Sequence, residues 1–247
     1  MAISTTALLH TLIGCAIFLA LTLAIQKWYG VQLGWQPLIA GLRAVIQLAA
    51  LSLILHGIFD NIYLAWVFVG VMMLIASLTS MRRSKGLIYG AIAAPAGIVV
   101  SASITIIAIF AIHMLDFSVS HLIAVGGIVT GNCMSAATLT GRRFMASSKA
   151  MRGEIEGWLA LGAPPQRAFL DVSRVSIREM LIPKIDQTKN TGLVTLPGAF
   201  VGALMGGAVP IEAAQFQIVV LISIMFASTL TATIQTMILS RATKLSI

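Results

Sequence analysis

Histidine and acidic side chains lie close together at two places in the sequence, in an arrangement that can bind transition metals. His56 precedes Asp60 by four residues and His113 precedes Asp116 by three, so each pair fits one face of a helix. Imidazole and carboxylate are suitable ligands for divalent iron, zinc or nickel. We therefore predict metal contact at these four residues, although histidines are also ordinary residues at the ends of loops.

The sequence contains none of the motifs that bind nucleotides or carry out hydrolysis. A G-x-x-x-x-G-K-[ST] phosphate loop, a G-x-S-x-G elbow, an H-E-x-x-H pair and a C-x-x-C pair are all absent. Cys15 and Cys133 lie in apolar runs, which favours buried thiols over a disulfide. We predict a protein that is not an enzyme and has no catalytic residues.

The elements that carry these residues are too apolar to fold in water. Of 247 residues, 58% are hydrophobic and 10% are charged, whereas soluble domains have about 25% charged residues. We predict an all-α polytopic membrane protein with about seven transmembrane helices, since about 20 apolar residues in a helix cross about 30 Å of hydrocarbon. The sixth span is short and contains Pro197, so six spans remain the alternative. The predicted spans are Ala7–Ile25, Pro37–Leu55, Tyr63–Thr79, Leu87–Met114, Leu122–Leu139, Leu193–Ala208 and Phe216–Leu239.

The basic residues lie almost entirely on one side of these spans. Fifteen of the sixteen Lys and Arg residues fall in the first, third and fifth loops or at the C-terminus, and Arg43 is the exception. The other three loops each carry one acid, namely Asp60, Asp116 and Glu212. The positive-inside rule then predicts an outside N-terminus and a cytoplasmic C-terminus. The net charge of +8 is thereby explained without nucleic acid.

The fifth loop, residues 140–191, is too long for a simple linker within what we predict to be one permease domain, residues 1–247. Apolar residues recur at helical spacing over Lys149–Leu161 and Pro165–Leu181, and Gly and Pro residues separate the two stretches. Two short helices joined by a stiff elbow predict a rigid cytoplasmic surface, with Asp186 just outside the membrane. A pair of interfacial helices on anionic lipid is the alternative.

Several motifs of the chain resemble those of a known transporter family. EGWLALGAPPQRAF (Glu156–Phe169) looks like the coupling-helix segment of ABC-transporter membrane subunits, in which Glu precedes Gly by six residues. Over nearly its whole length the chain is similar to the Fet-type iron-export ABC permeases, which include plant relatives linked to aluminium tolerance. The landmarks, in order, are GLRAVIQL, RRSK, GGIVTGN, LGAPPQRA and LIPKIDQTKNTGLVTLPG.

This resemblance implies a cell-membrane permease subunit that pairs with a second copy of itself and exports iron or another metal ion. The chain itself would need no cofactor, because separate ATPase subunits would bind ATP and Mg²⁺. The residues expected to contact the ATPase are Glu154, Glu156, Gly162, Ala163 and Pro164. The alternatives are a non-metal cargo such as a nucleotide sugar, a secondary transporter without an ATPase, and a membrane scaffold that transports nothing.

Small and polar residues inside the spans are the candidates for helix packing or for a transport pathway. Glycines four residues apart let helix backbones approach closely, and polar groups in apolar spans usually face protein or water. Packing within one subunit and a structural clamp are the competing interpretations. The candidates are Arg43, Gln47, Gly127, Gly131, Asn132, Pro197, Gly198, Gly202 and Gly206.

Overall fold

The computed structural model describes residues 5–58 and 61–243, and helices account for most of them. Within these ranges there is no strand, only an isolated bridge between Thr191 and Thr195. The described chain contains six helices that are long and apolar enough to span a membrane. The predicted all-α, multi-pass fold is therefore confirmed. The chain forms two compact units, residues 1–60 and 61–247.

The first unit is a hairpin of two apolar helices. These are α1 (Thr5–Tyr29) and α2 (Gln36–Ile58), and they correspond to the first two predicted spans. A Cβ atom on Gly41 would lie 3.1 Å from the side chain of Leu19, so the two helices approach closely at that glycine. The turn between them contains Gly30 and Gly34 with positive φ angles of 74° and 54°, a conformation that glycine adopts readily.

The second unit contains a scaffold of four long helices. Small residues allow them to pack closely: a Cβ atom on Gly97 would lie 2.9 Å from the carbonyl oxygen of Thr231, and one on Gly126 would lie 2.7 Å from the side chain of Val69. Because lipid tails are as apolar as the helices, such close packing is what favours helix association in a membrane. The four helices are α3 (Ile62–Arg83), α4 (Gly90–Ala111), α5 (Val119–Ala150) and α10 (Pro210–Leu239).

The scaffold has two chemically different ends. We call the end with the clustered Lys and Arg residues, among them Arg83 and Lys149, the basic end, and the end with Glu212 the opposite end. At the opposite end the rings of His121 and Phe216 stack at 5.8 Å, whereas α5 and α10 share an apolar cluster at the basic end. Helices α5 and α10 therefore run in the same direction.

The chain between α5 and α10 must consequently return from the basic end to the opposite end. Four helices make this connection: α6 (Arg152–Ala160), α7 (Pro165–Ala168), α8 (Leu170–Asn190) and α9 (Gly198–Met205). With eight residues, α9 is about 12 Å long and cannot cross the membrane by itself. The prediction of Leu193–Ala208 as one spanning helix is therefore wrong, and the described residues contain six candidate spanning helices, the number given as the alternative. The prediction failed because α8 continues past Leu181 through Pro183 and provides part of the return.

Candidate functional site

Helices α6 and α7 form a small platform that covers the basic end of the second unit. Ile155 of α6 is only 1% exposed and lies in an apolar cluster with Phe144 of α5 and with Phe169, the residue between α7 and α8. The guanidinium of Arg167 lies 4.8 Å from the centre of the Trp158 ring, which joins α7 to α6. The short helices are thus fastened to the scaffold and to each other, so the platform is a rigid surface rather than a tether.

The elbow between α6 and α7 projects from this platform. Gly162 has a φ angle of 82°, which ends α6 in a left-handed residue, and Pro164 precedes the first residue of α7. Leu161 at the tip is 82% exposed. The five residues predicted to contact an ATPase lie on α6 and this elbow, and four are exposed while Ala163 is half-buried. Glu156 accepts a hydrogen bond of 2.7 Å from Arg152 Nε in the same helix.

Helix α8 runs antiparallel to α5, from the basic end toward the opposite end. The ring of Phe169 at its start stacks on Phe144 at 5.7 Å, and Lys184 near its end reaches Asn132. Rising residue numbers in α8 thus match falling numbers in α5. The region predicted to lie wholly outside the membrane, residues 140–191, therefore ends with a helix that runs back along the apolar part of α5.

Lys184 and Asn132 meet near the middle of the apolar part of α5. The Lys184 ammonium donates a hydrogen bond to Asn132 Oδ1, and Asn132 Nδ2 donates one of 2.8 Å to the carbonyl of Ile128. Along α5, Asn132 lies about 16 Å from His121 and about 15 Å from Arg142 at 1.5 Å per residue. No ion pair to Lys184 occurs among the described residues. A charged group at this depth is costly and usually faces protein or a water-filled path.

A cavity of about 560 Å³ opens at the opposite end of the second unit. Its walls include the predicted residues His113 and Asp116, together with His121 and Glu212. The His121 ring nitrogen Nδ1 lies 2.8 Å from the carbonyl oxygen of Asp116. Across the described residues, no three His, Cys, Asp or Glu side chains come close enough to hold one metal ion. The cavity is thus lined by two imidazoles and two carboxylates from separate parts of the chain.

The other half of the predicted metal set cannot be located. Asp60 lies outside the described residues, and the same holds for the side chain of His56. His121 and Glu212 were not in the predicted set, because histidine–acid spacing along one helix does not report proximity between α5 and α10.

The predicted packing glycines differ in whether a neighbouring helix packs closely against them. A Cβ atom on Gly127 would lie 2.9 Å from Met72 Cε, so this glycine admits a neighbouring helix. Cβ atoms on Gly131, Gly198 and Gly202 would meet nothing within 4 Å in the described structure, and Gly206 is close only to local backbone. The glycine face of α9 therefore has no neighbouring helix packed closely against it among the described residues. Pro197 is the residue immediately before α9.

Two further observations concern polar residues of the spans. Arg43 and Gln47 lie one turn apart on α2, as their spacing predicts. Both side chains are exposed in the described structure. Gln235 of α10 was not predicted: its side chain is fully buried and its amide donates a hydrogen bond of 3.1 Å to the carbonyl of Ala137. A glutamine in an apolar run indicates a polar contact inside the protein, but the sequence does not identify the partner, which is 98 residues away.

A family model matches residues 9–243 of the chain, and it describes an uncharacterised protein family, UPF0014. No solved structure matches the chain. Among curated proteins, the chain is 33% identical over 219 residues to the UPF0014 membrane protein STAR2 of Oryza sativa subsp. japonica, covering 88% of this chain and 77% of the relative.

Two other relatives have more informative names. The protein ALUMINUM SENSITIVE 3 of Arabidopsis thaliana is 30% identical over 192 residues, which cover 77% of this chain and 70% of the relative. The probable iron export permease protein FetB of Escherichia coli (strain K12) is 33% identical over 184 residues, which cover 72% of this chain and 70% of the relative. The names of STAR2 and FetB describe a membrane protein and a permease protein, which agrees with the six apolar helices of the described chain.

Proposed function

The chain belongs to the UPF0014 family, and on this premise we propose that it is the permease subunit of an ABC transporter that exports iron or another metal ion. The observation that carries the proposal is the exposed α6–α7 elbow on a platform anchored by the buried Ile155. The similarity to a probable iron export permease supports the export direction and the metal.

The elbow is the proposed docking point for a separate ATPase subunit. The chain has no phosphate-binding loop, so ATP and Mg²⁺ would be bound by the partner. Exposed Leu161 at the tip of the elbow would enter a pocket on the ATPase, flanked by Glu154 and Glu156. Because the platform is packed onto α5, α8 and α10, closure of the ATPases would move these helices as a rigid body. Two copies of this chain would pair with two ATPases.

The basic end is the proposed cytoplasmic end. Lys and Arg residues are enriched in cytoplasmic loops of membrane proteins, and the platform lies at the end that carries them. The cavity with His113, Asp116, His121 and Glu212 then opens to the outside. Its imidazole and carboxylate groups suit a departing divalent cation.

Metal content of cells tests this function directly. Cells that lack the chain should accumulate metal relative to cells that carry it, and the wild-type chain should retain an ATPase on purification. Leu161→Asp should abolish both export and ATPase retention, because a charge would enter the apolar contact. Val175→Asp makes the same change at an exposed residue of α8 away from the elbow and should preserve both.

Two results would contradict the proposal. If the cellular contents of iron, manganese, nickel and zinc are all unchanged on deletion of the chain, the chain does not export metal. Failure of the intact membrane chain to retain any ATPase would remove the ABC mechanism and leave an ion-gradient transporter as the second candidate. The ionisable Lys184 beside Asn132 at mid-depth favours that candidate, and transport by the chain alone in sealed vesicles would support it.

A further inference from the structure

The last two turns of α8 present a polar face that nothing in the described chain covers. Asp186, Gln187, Lys189 and Asn190 are all exposed. Lys184 points away from Asp186, toward α5, because residues two apart are about 200° apart around a helix. The two sides of this segment are therefore distinct: one is tied to the scaffold, and the other is free.

This free face lies at the depth of the membrane interior. Asp186 is about 3 Å further along the helix than Lys184 at 1.5 Å per residue, and Lys184 is bonded to Asn132 at the centre of the apolar part of α5. The other described carboxylates lie toward the two ends of the second unit: Asp116 and Glu212 at the opposite end, and Glu154, Glu156, Asp171 and Glu179 at the basic end. Asp186 is thus the one described carboxylate near mid-depth.

Lipid is an unfavourable neighbour for this face. A charged side chain at the bilayer centre costs about 2.5–3.5 kcal/mol even on the lowest scale, and within the described residues neither Asp186 nor Lys189 forms an ion pair. The irregular backbone that follows, residues 191–197, also needs water or protein beside it at such depth. Water satisfies both requirements.

We propose that this face of α8 lines a water-filled transport path and that the Asp186 carboxylate contacts the cation halfway along it. The inference rests on the proposed metal-ion cargo. Asn190 follows one turn later on the same side and supplies an amide oxygen beside the carboxylate. Oxygen ligands of this kind can hold a hydrated divalent cation loosely enough to release it.

Single cysteines test the water-filled path without any transport assay. In a chain carrying Cys15→Ser and Cys133→Ala, Asp186→Cys and Gln187→Cys should react with a membrane-impermeant thiol reagent, because thiolates form in water. Val100→Cys, an exposed apolar position in the middle of α4, should not react. Absence of labelling at both α8 positions would overturn the water-filled path. This holds also if a second copy of the chain covers the face and excludes water from it.

Charge variants test the role of Asp186 in cells that carry the chain and its ATPase. Asp186→Asn should reduce metal export at least tenfold, and Asp186→Glu should restore part of it. Asp171→Asn, a control at the other end of the same helix, should export normally. Normal export by Asp186→Asn would overturn the inference. If the wild type exports no metal, the proposed function fails, while the labelling result still decides the path.

Discussion

Helix α10 and the α8–α9 segment both run between the two ends of the second unit, but their residues differ in polarity and regularity. Helix α10 is an unbroken, apolar helix of 30 residues, so its backbone groups are satisfied internally and it can face lipid. The α8–α9 segment carries charges, an internal proline and an irregular stretch at residues 191–197. Such a segment is stable at this depth only beside protein or water.

The two passages are also held in place differently. Helix α10 is packed by small residues, as at Gly97 and Thr231. Helix α8 is held by an apolar cluster at its start and by the Lys184–Asn132 hydrogen bond near its end. Changes in the scaffold should therefore affect folding, whereas changes along α8 should affect its attachment to that scaffold.

The largest effect is expected where the platform joins α8. Ile155→Ala removes buried methyl groups from the apolar cluster and should destabilise the packing of the platform by about 2–5 kcal/mol. The main consequence should be detachment of α6 and α7 from the scaffold. Limited proteolysis should then cut between residues 152 and 168 while the spanning helices stay protected. Leu161→Ala, on the exposed tip, should leave the proteolysis pattern unchanged. Global unfolding with Ile155→Ala would contradict a separately attached platform.

A smaller but global effect is expected in the scaffold. Gly97→Val places a Cβ atom 2.9 Å from the carbonyl oxygen of Thr231, and overpacking of this kind costs about 1–3 kcal/mol. The thermal unfolding temperature of the detergent-solubilised protein should fall. Gly131→Ala is the matched control, because a Cβ atom there meets nothing within 4 Å. Equal unfolding temperatures for the two variants would show that α4 and α10 do not depend on this contact.

An effect of similar size, but confined to the attachment of α8, is expected at the hydrogen bond between Lys184 and Asn132. Asn132→Leu leaves the half-buried Lys184 ammonium without its acceptor and should cost about 1–3 kcal/mol. Lys184→Met added to Asn132→Leu should recover most of this cost, since both partners are then apolar. A double-mutant cycle of unfolding free energies measures the coupling. Additive effects of the two substitutions would mean that this bond does not hold α8.

The apolar helices were predictable from sequence and the polar passage was not. Spans such as Tyr63–Thr79 are marked by hydropathy alone, because lipid requires about 20 apolar residues whatever their neighbours. Helix α8 fails that criterion with its charged residues, so sequence alone assigned Asp186 to the region outside the membrane. Its depth became apparent only from contact with α5.

The candidate site divides in the same way. The elbow was predictable because Gly162 and Pro164 impose local backbone geometry. The cavity at the opposite end was only half predictable: His113 and Asp116 are neighbours in sequence, whereas Glu212 reaches the same cavity from α10. Proximity between helices follows from packing, which spacing within one helix does not encode.

The sequence by itself determined that the chain spans a membrane many times, that its charge is concentrated on one side, and that a structured elbow interrupts the spans. These follow from transfer free energy and local backbone preference, which act over a few residues. The tertiary structure decided which helices pack together, that Lys184 meets Asn132, and that the charged helix α8 runs alongside the apolar part of α5. Those outcomes depend on surfaces that meet only after folding, because water or protein must replace lipid beside a polar helix before it can lie at that depth.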